Sequence, residues 1–578
     1  MINSWGRAHT PPAVDVHLVD GPEVSTLASK VASAPAVALA AICDGEDLAQ
    51  DHARVAALGF ADGPTFVLDL WRTAARSVFQ LLTRTTIVGH NLKRSLGLLG
   101  TSFSEEPQHL FDTALAARLV EGGEHATDED FFTLPAVLHR YLGLEERAED
   151  LPLRWQGYLS ARHLQYAGLQ VRDLLALHVR LRRELEQADL MDTADLEFSL
   201  IGAVTTMEIA GLPLDEGLLS TLVEGRSKEA ERLGQRLQKK LGVKNLESDS
   251  EVLAALHRQG LDVAGTGAEH LSRLSHIPFI KNVLRYRALK SFVDGIGTDI
   301  LVAASRHEDA RVRCPYSQLG TSTGRFSACK PNLLGVPRDP EVRSCFVAPP
   351  GNVFVGADYS CLELRIVAAV AGENNLLDLF RRGGDPHLLT AARMYNKRPD
   401  EVTANERKSA KPVNYGVIYK AGAEGLVKKA QRDYGLRFTL EDAKRFRTAF
   451  LEAYPRIGEW QDKMASETTA HVRTLGGRLR YLDHPANLPV RLAAIIQGTS
   501  TDGFKRGLVR MHRELRQYDA RIILVPHDGV LVEAPEQHAD EVQAVVETVM
   551  VEEMEGVVPG VPFAVKTKTG RSWAEVEC

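Results

Sequence analysis

Val353-Phe-Val-Gly-Ala-Asp358-Tyr-Ser-Cys-Leu-Glu363-Leu-Arg365 is a β-branched run that delivers an aspartate into a turn, followed by a helical start carrying a glutamate and an arginine. A second aspartate lies about 170 residues further on, in Ile522-Ile-Leu-Val-Pro-His527-Asp528-Gly529-Val-Leu-Val-Glu533, where two β-runs enclose a hairpin tip at Asp528-Gly529. Taken singly, an aspartate at a strand end is a cap or turn residue, and Asp-Gly is a pair that hairpin turns prefer. What lifts both above that reading is the segment between them, Arg407-x3-Lys411-x3-Tyr415-x3-Tyr419. Residues four apart drift by only about 40° around a helix, so these side chains form one stripe roughly 18 Å long. Pro412 falls inside the stripe and predicts a kink near 408–412 or a helix that begins there.

The stripe has a chemical order. Two cations at its N-terminal end, where the helix dipole adds positive potential, suit a triphosphate, and two aromatics further along suit a base and sugar. With two carboxylates able to share a pair of Mg2+ ions, the set makes a site for in-line attack on a nucleoside triphosphate.

Composition bounds the rest. At 578 residues the chain is too long for one core, and 44% apolar with 25% charged residues is ordinary for globular protein. The longest apolar runs, such as Ala36 to Ile42, are too short to span a membrane, and the polar start Met1-Ile-Asn-Ser-Trp-Gly-Arg has no signal-peptide layout. A cytoplasmic protein is expected, nucleoid-associated in a bacterium. Cys43, Cys314, Cys329, Cys345, Cys361 and Cys578 show no C-x2-C spacing, so they read as reduced thiols. A net charge of −7 argues mildly against nucleic acid, but charge is unevenly placed. Acid gathers at Glu121 to Asp130 and Glu145 to Asp150, whereas Arg407, Lys408, Lys411, Lys420, Lys428, Lys429 and Arg432 stand against only Glu424 and Asp433.

Along the chain, residues 1–190 alternate β-like runs (Val14 to Val19, Val37 to Ile42, Thr65 to Leu70, Thr86 to Gly89) with helical stretches, a mixed α/β domain in which 121–130 reads as a surface insertion. Helical spacing dominates from Leu174 to about Ile300, broken at Ala210-Gly-Leu-Pro-Leu-Asp215, whose aspartate can cap the next helix. Strand-like runs return at Val353 to Val355, Ile522 to Val525 and Val530 to Val532, separated by a helical insertion from about 376 to 470.

The segment Asp358 to Arg365 resembles motif A of family A DNA polymerases, the Arg407 to Tyr419 stripe resembles motif B, and His527-Asp528 resembles motif C. Further matches are Thr321-Ser-Thr-Gly-Arg-Phe-Ser327 with Pro331-Asn-Leu, Asp385-Pro-His387, Gly477-Arg478-x-Arg480-Tyr-Leu and Gln497-Gly-Thr-Ser-Thr-Asp502. The resemblance covers about residues 195–578. It implies a right-hand polymerase domain over 191–578, with a thumb at about 205–300, a palm at about 301–375 and 480–578, and fingers at about 376–479.

It also implies roles. Asp358 and Asp528 would hold two Mg2+ ions, with Mn2+ able to substitute. Arg407, Lys411 and His387 would grip the β- and γ-phosphates of a dNTP, Lys411 also giving a proton to pyrophosphate. Tyr415 would lie against the incoming sugar and base, Tyr419 beside the templating position, and Glu363 would occlude a ribose 2′-hydroxyl. Arg325, Gln497, His527 and Arg365 would meet primer–template DNA. Three departures from the family pattern stand out. Gly529 occupies the place of a glutamate usual after His-Asp, Tyr415 replaces a common phenylalanine and implies dideoxynucleotide sensitivity, and the stretch before Gln497 is shortened.

The N-terminal part resembles an RNase H-like 3′-5′ exonuclease domain in Val88-Gly-His-Asn-Leu-Lys93 and Phe111-Asp-Thr-Ala-Leu. The four metal-binding carboxylates of such a domain fall on Ala41, Cys43, Ser95 and Gln170, none of which can supply one; a shifted register could enlist Asp44 and Glu46 for the first two alone. The whole then reads as a monomeric, non-proofreading DNA-directed DNA polymerase without a membrane partner. No 5′-nuclease domain has room before residue 1, so nick translation is not expected. The alternatives are a non-catalytic DNA-binding or replication scaffold and a single-subunit RNA polymerase, the latter opposed by Glu363.

Overall fold

The computed structural model describes residues 14–45, 47–100, 106–107, 109–145, 154–484 and 487–577. Glu46 and Cys578 lie outside them; the other five cysteines are free thiols. The chain forms two compact units. The first joins Met1–Ala210 to Ser317–Phe326 and Gly477–Tyr481, and the second contains Gly211–Tyr316, Ser327–Gly476 and Leu482–Cys578.

The first unit is built on a mixed six-stranded sheet: β1 (Val16–Leu18), β2 (Ala36–Ile42), β3 (Val55–Gly59), β4 (Thr65–Asp69), β5 (Thr86–Gly89) and β6 (Leu110–Asp112), in the order β1-β4-β3-β2-β5-β6. β3 runs antiparallel to both neighbours, and β2, β5 and β6 are parallel. Side chains alternate across the sheet as a period of two requires. Val37, Leu39 and Ala41 face the helices Val24–Ser33, Arg76–Leu82 and Leu92–Leu99, while Ala38 faces those from Thr113 to Ala210. Such two-sided burial explains why the strands read as apolar runs rather than alternating ones. β3 (Val-Ala-Ala-Leu-Gly) and the three-residue β6 escaped the sequence reading because neither is rich in β-branched residues.

The acidic segment 121–130 is not the surface insertion expected of it. Gly122 and Ala126 are buried, the Gly122 carbonyl accepts from the Tyr481 N–H at 2.9 Å, and the Ala126 carbonyl accepts from Arg118. Asp128, Glu129 and Asp130 are exposed, which is what composition reports, while the backbone at Gly122 and Ala126 packs inward.

The second unit holds an antiparallel four-stranded sheet: β7 (Asn352–Tyr359), β8 (Arg521–Leu524), β9 (Gly529–Pro535) and β10 (Val565–Gly570), in the order β8-β9-β7-β10. The helices Leu362–Ala371, Leu488–Glu514 and Ala539–Val557 belong with this sheet, and helices from Asn374 to Ser466 intervene in sequence between β7 and β8. A further helical group, Glu216–Leu241 to Thr298–Ala304, carries its own small core of Leu237, Leu241, Val252, Leu256, Ile280 and Val283. Asp215 caps the first of these helices by accepting from the Leu218 N–H, as expected. β10 (Val-Lys-Thr-Lys-Thr-Gly) passed unnoticed in the sequence because it is an edge strand with exposed lysines at 566 and 568.

Candidate active site

β7 and β9 bring the two aspartates together. Asp358 is the cross-strand partner of Gly529, so Asp528 lies one residue from direct register. The turn before β9 is tight: the Gly529 N–H donates to the Pro526 carbonyl at 3.1 Å, and His527 adopts a left-handed backbone (φ +57°). Gly529 is required there, because a Cβ would stand 2.6 Å from the Ala357 carbonyl oxygen and 3.5 Å from the Asp358 Oδ1. After β7 the chain turns through Cys361 (φ +56°) into the helix Leu362–Ala371, which places Glu363 in the first turn.

Burial first, and the Asp528 charge second, push the Asp358 carboxyl up to about 6, against the attraction of Arg338 and Lys566. A divalent cation relieves the same repulsion, and carboxylate oxygens are the hard donors Mg2+ takes, so the residues present fit that ion. Among the described residues no cluster of three or more His, Cys, Asp or Glu could hold a metal, in keeping with glycine at 529. A pocket beside the pair is lined by Arg338, Asp358, His527, Gly529, Trp573 and Glu577, among others.

The stripe differs in two respects from its sequence reading. The helix begins at Ala404 and passes through Pro412 as one element, secured by a Thr403–Glu406 capping box and by buried Ala410, Val413 and Val417. It ends at Val417, so Tyr419 stands in the following turn, where its hydroxyl accepts from Gln497 Nε2 at 3.3 Å. Lys411 is half-buried, and Arg407 forms an ion pair with Asp385, whose carboxyl it holds down despite burial acting the other way. Tyr415 is pushed upward chiefly by burial, with Cys361, Glu363 and Asp358 adding to the effect, so its ring stands among the motif A residues.

His387 is only 3% exposed and packs against Tyr415 with ring centroids 5.6 Å apart. Burial holds it down to about 4, so the ring is neutral. Arg365 is buried: its guanidinium donates to the carbonyls of Ser360 and Pro562 and stacks on Phe380. Arg325 lies in the first unit, in a loop closed by its N–H donating to Thr321 Oγ1 at 3.0 Å.

The first unit shows how the expected exonuclease positions are filled. Ser95 Oγ accepts from the buried Ala41 N–H at 3.2 Å, and Cys43 Sγ donates to the Gly45 carbonyl. Arg94 donates to the same carbonyl at 2.6 Å and stands 3.9 Å from Cys43 Sγ, a cation beside the place where metals would be needed. Asp44 accepts from the Trp155 N–H, and Gln170 is half-buried.

The protein-family model for DNA polymerase family A matches residues 218–575. The chain belongs to that family. A 3′-5′ exonuclease family model matches residues 23–186. Among curated family A relatives, DNA polymerase I of Aquifex aeolicus is 27% identical over 91% of this chain and 94% of its own length. The thermostable DNA polymerase I of Thermus filiformis is 32% identical over 66% of this chain but only 48% of its own length, and the DNA polymerase I of Chloroflexus aurantiacus is 29% identical over 84% of this chain and 54% of its own length. The chain thus spans about half of several longer relatives. The solved POL domain of Pol1 from M. smegmatis, in complex with DNA primer-template and dNTP, matches with a TM-score of 0.84 at 24% identity, covering 97% of this chain and 100% of that one. The fold is accordingly that of a family A DNA-directed DNA polymerase with an exonuclease domain ahead of it. Among the described residues no helix is long and apolar enough to cross a membrane.

Two residues in the family A site went unassigned in the sequence. Asn414, 0% exposed, donates from Nδ2 to His387 Nδ1 at 2.8 Å, which leaves the imidazole proton on Nε2, facing Cys361 Sγ at 3.7 Å. Arg338 is an exposed cation acting on Asp358. Asn414 immediately precedes Tyr415, so its place in motif B was a legible signal; Arg338 had none.

Proposed function

We propose that this chain extends a primer 3′-hydroxyl with dNTPs on a DNA template, releases pyrophosphate and does not proofread. The observation that carries this reading is the cross-strand placement of Asp358 beside the Asp528-Gly529 turn. Asp358 and Asp528 would hold two Mg2+ ions, whose chemistry when bound is to ease ionisation of the primer hydroxyl and offset charge on the phosphates. Arg407 and Lys411 supply cations for the triphosphate, Arg407 exchanging its Asp385 partner for phosphate, and neutral His387 supplies an N–H donor. Glu363 sets preference against a ribose, and Tyr415 offers a hydroxyl beside the sugar. Arg325, Gln497 and His527 are assigned to the primer–template, and the domain limits are about 1–190 and 191–578. Ser95, Ala41, Cys43 and Gln170 give the N-terminal domain no carboxylates with which to excise a mismatch. The protein works as a monomer in the cytoplasm.

Primer extension with and without Mg2+ tests the reading, comparing wild type with Asp528→Ala and dNTPs with NTPs. Metal-dependent dNTP addition lost in the variant supports it; DNA binding without extension by the wild type would favour a scaffold. Strong dideoxynucleotide termination is expected at low ddNTP:dNTP ratios, and marked discrimination would remove the role given to Tyr415. Excision of a mismatched 3′ end by Asp358→Ala would overturn the absence of proofreading.

A further inference from the structure

Two stretches that carry polymerase motifs, Ser317–Phe326 and Gly477–Tyr481, fold into the compact unit of the exonuclease domain. Leu319 and Leu479 are buried in the same apolar cluster as Phe111, Phe132 and Phe198. Glu197, on the helix Met191–Ala210, is 0% exposed. Arg478 Nη2 donates to its Oε1 at 2.7 Å, and Gln318 Nε2 donates to its Oε2 at 3.1 Å and to its backbone carbonyl at 3.0 Å. A carboxylate without access to water needs such partners, and these come from segments 121 and 281 residues away in sequence.

The chain of contacts runs on to the loop holding Arg325. A Cβ on Gly324 (φ +82°) would stand 3.0 Å from Arg478 Nε, so the guanidinium lies against the residue before Arg325. From the other side, the Gly122 carbonyl accepts from the Tyr481 N–H and from Arg480 Nη1 at 3.2 Å. Gly122 (φ +55°) would place a Cβ 2.4 Å from the Tyr481 ring, and Gly123 (φ +80°) one 2.6 Å from the Ser322 carbonyl oxygen. Backbone approach this close, in a left-handed conformation, is open to glycine and closed to other residues.

We infer that Glu197, aided by the Gly122-Gly123 turn, is a positioning residue for primer–template binding: through Arg478 and Gln318 it fixes the Thr321–Arg325 loop against the Arg478–Tyr481 strand. The exonuclease domain thereby serves the grip on DNA whether or not it cuts. The inference rests on the assignment of Arg325 to the primer–template.

The test compares Glu197→Gln, Arg325→Ala and the double variant by fluorescence anisotropy on a labelled primer–template and by single-turnover extension at saturating DNA. Glu197→Gln is expected to weaken DNA binding about tenfold, with the rate of dNTP addition and the dNTP affinity within about twofold of wild type. In the Arg325→Ala background the same substitution is expected to add less than about threefold, since both act through one loop. Unchanged DNA affinity, full additivity, or a rate lost in step with affinity would each overturn the inference. Gly123→Ala is the second variant: it leaves every charge in place, and the same split between affinity and rate is expected of it. Asp528→Ala separates the two readings, because it should abolish extension and keep the DNA affinity that Glu197→Gln loses; a wild type that binds DNA without extending it would end the catalytic proposal and leave the affinity comparison intact.

Discussion

At the scale of single residues, the site is governed by a carboxyl group whose ionisation the fold opposes. Asp358 titrates near 6 in the fold, above the range of about 4 it has in an unfolded chain. Between those values the native state holds a proton that the unfolded state has released, so stability falls as pH rises and the loss is complete above about 6. A shift of about two units is on the order of 3 kcal/mol. Asp358→Asn is therefore expected to raise the melting temperature of metal-free protein at about pH 7.5 and leave it nearly unchanged at about pH 4. Equal shifts at both would refute the sign. Gly529→Glu, which restores the residue usual in the family, forces β9 away from the Ala357 carbonyl and should cost about 1–3 kcal/mol without a gain in rate; calorimetry with primer extension checks both. The identities of Asp358, Asp528 and the stripe were readable because each is a particular residue type at a fixed spacing. Sequence spacing could not show that the Arg365 guanidinium donates to the carbonyls of Ser360 and Pro562.

Among elements, the helix Ala404–Val417 carries the most consequence. Periodicity found its face, but its end was set too late, since Tyr419 continues the spacing after the backbone has left the helix. Of the two outcomes Pro412 suggested, a kink or a helix that begins there, the second does not occur, because the Thr403 cap starts the helix at Ala404. The element also fixes His387 through Asn414. An amide N–H facing Nδ1 opposes a second proton there, alongside burial and the charges of Lys411 and Arg407, whereas Asp385 favours it. Asn414→Asp replaces that donor with an acceptor and is expected to raise the His387 titration midpoint from about 4 by more than a unit, as NMR of the labelled imidazole would show. An unmoved midpoint would mean that burial and the neighbouring charges set it without Asn414. Strands β3, β6 and β10 were illegible for the opposite reason: short, alanine-rich or charged segments become strands only when a neighbour offers a ladder.

For the whole molecule, sequence order and spatial grouping part company. The sequence reading divides the chain near residue 190, whereas the first compact unit runs on to Ala210 and takes in Ser317–Phe326 and Gly477–Tyr481, contacts that no local pattern announces. A fragment of residues 191–578 would expose Leu319 and Leu479 and strip the partners from the buried apolar side of the Met191–Ala210 helix. That fragment is expected to be less soluble and to melt lower than the full chain; equal solubility and melting temperature would show that these leucines find other cover. The family match over residues 218–575 does not depend on this division, since most of the motifs with chemical roles lie in the second unit.

The lysines at 566 and 568 bear on how the protein behaves in bulk. β10 is the last strand of its sheet, and its outer backbone groups are a template on which another copy could dock. Two ammonium groups spaced along that rim repel their equals on an approaching molecule. At the high concentrations of a crowded cell or a storage tube, colloidal behaviour thus depends in part on the positive charge of this rim.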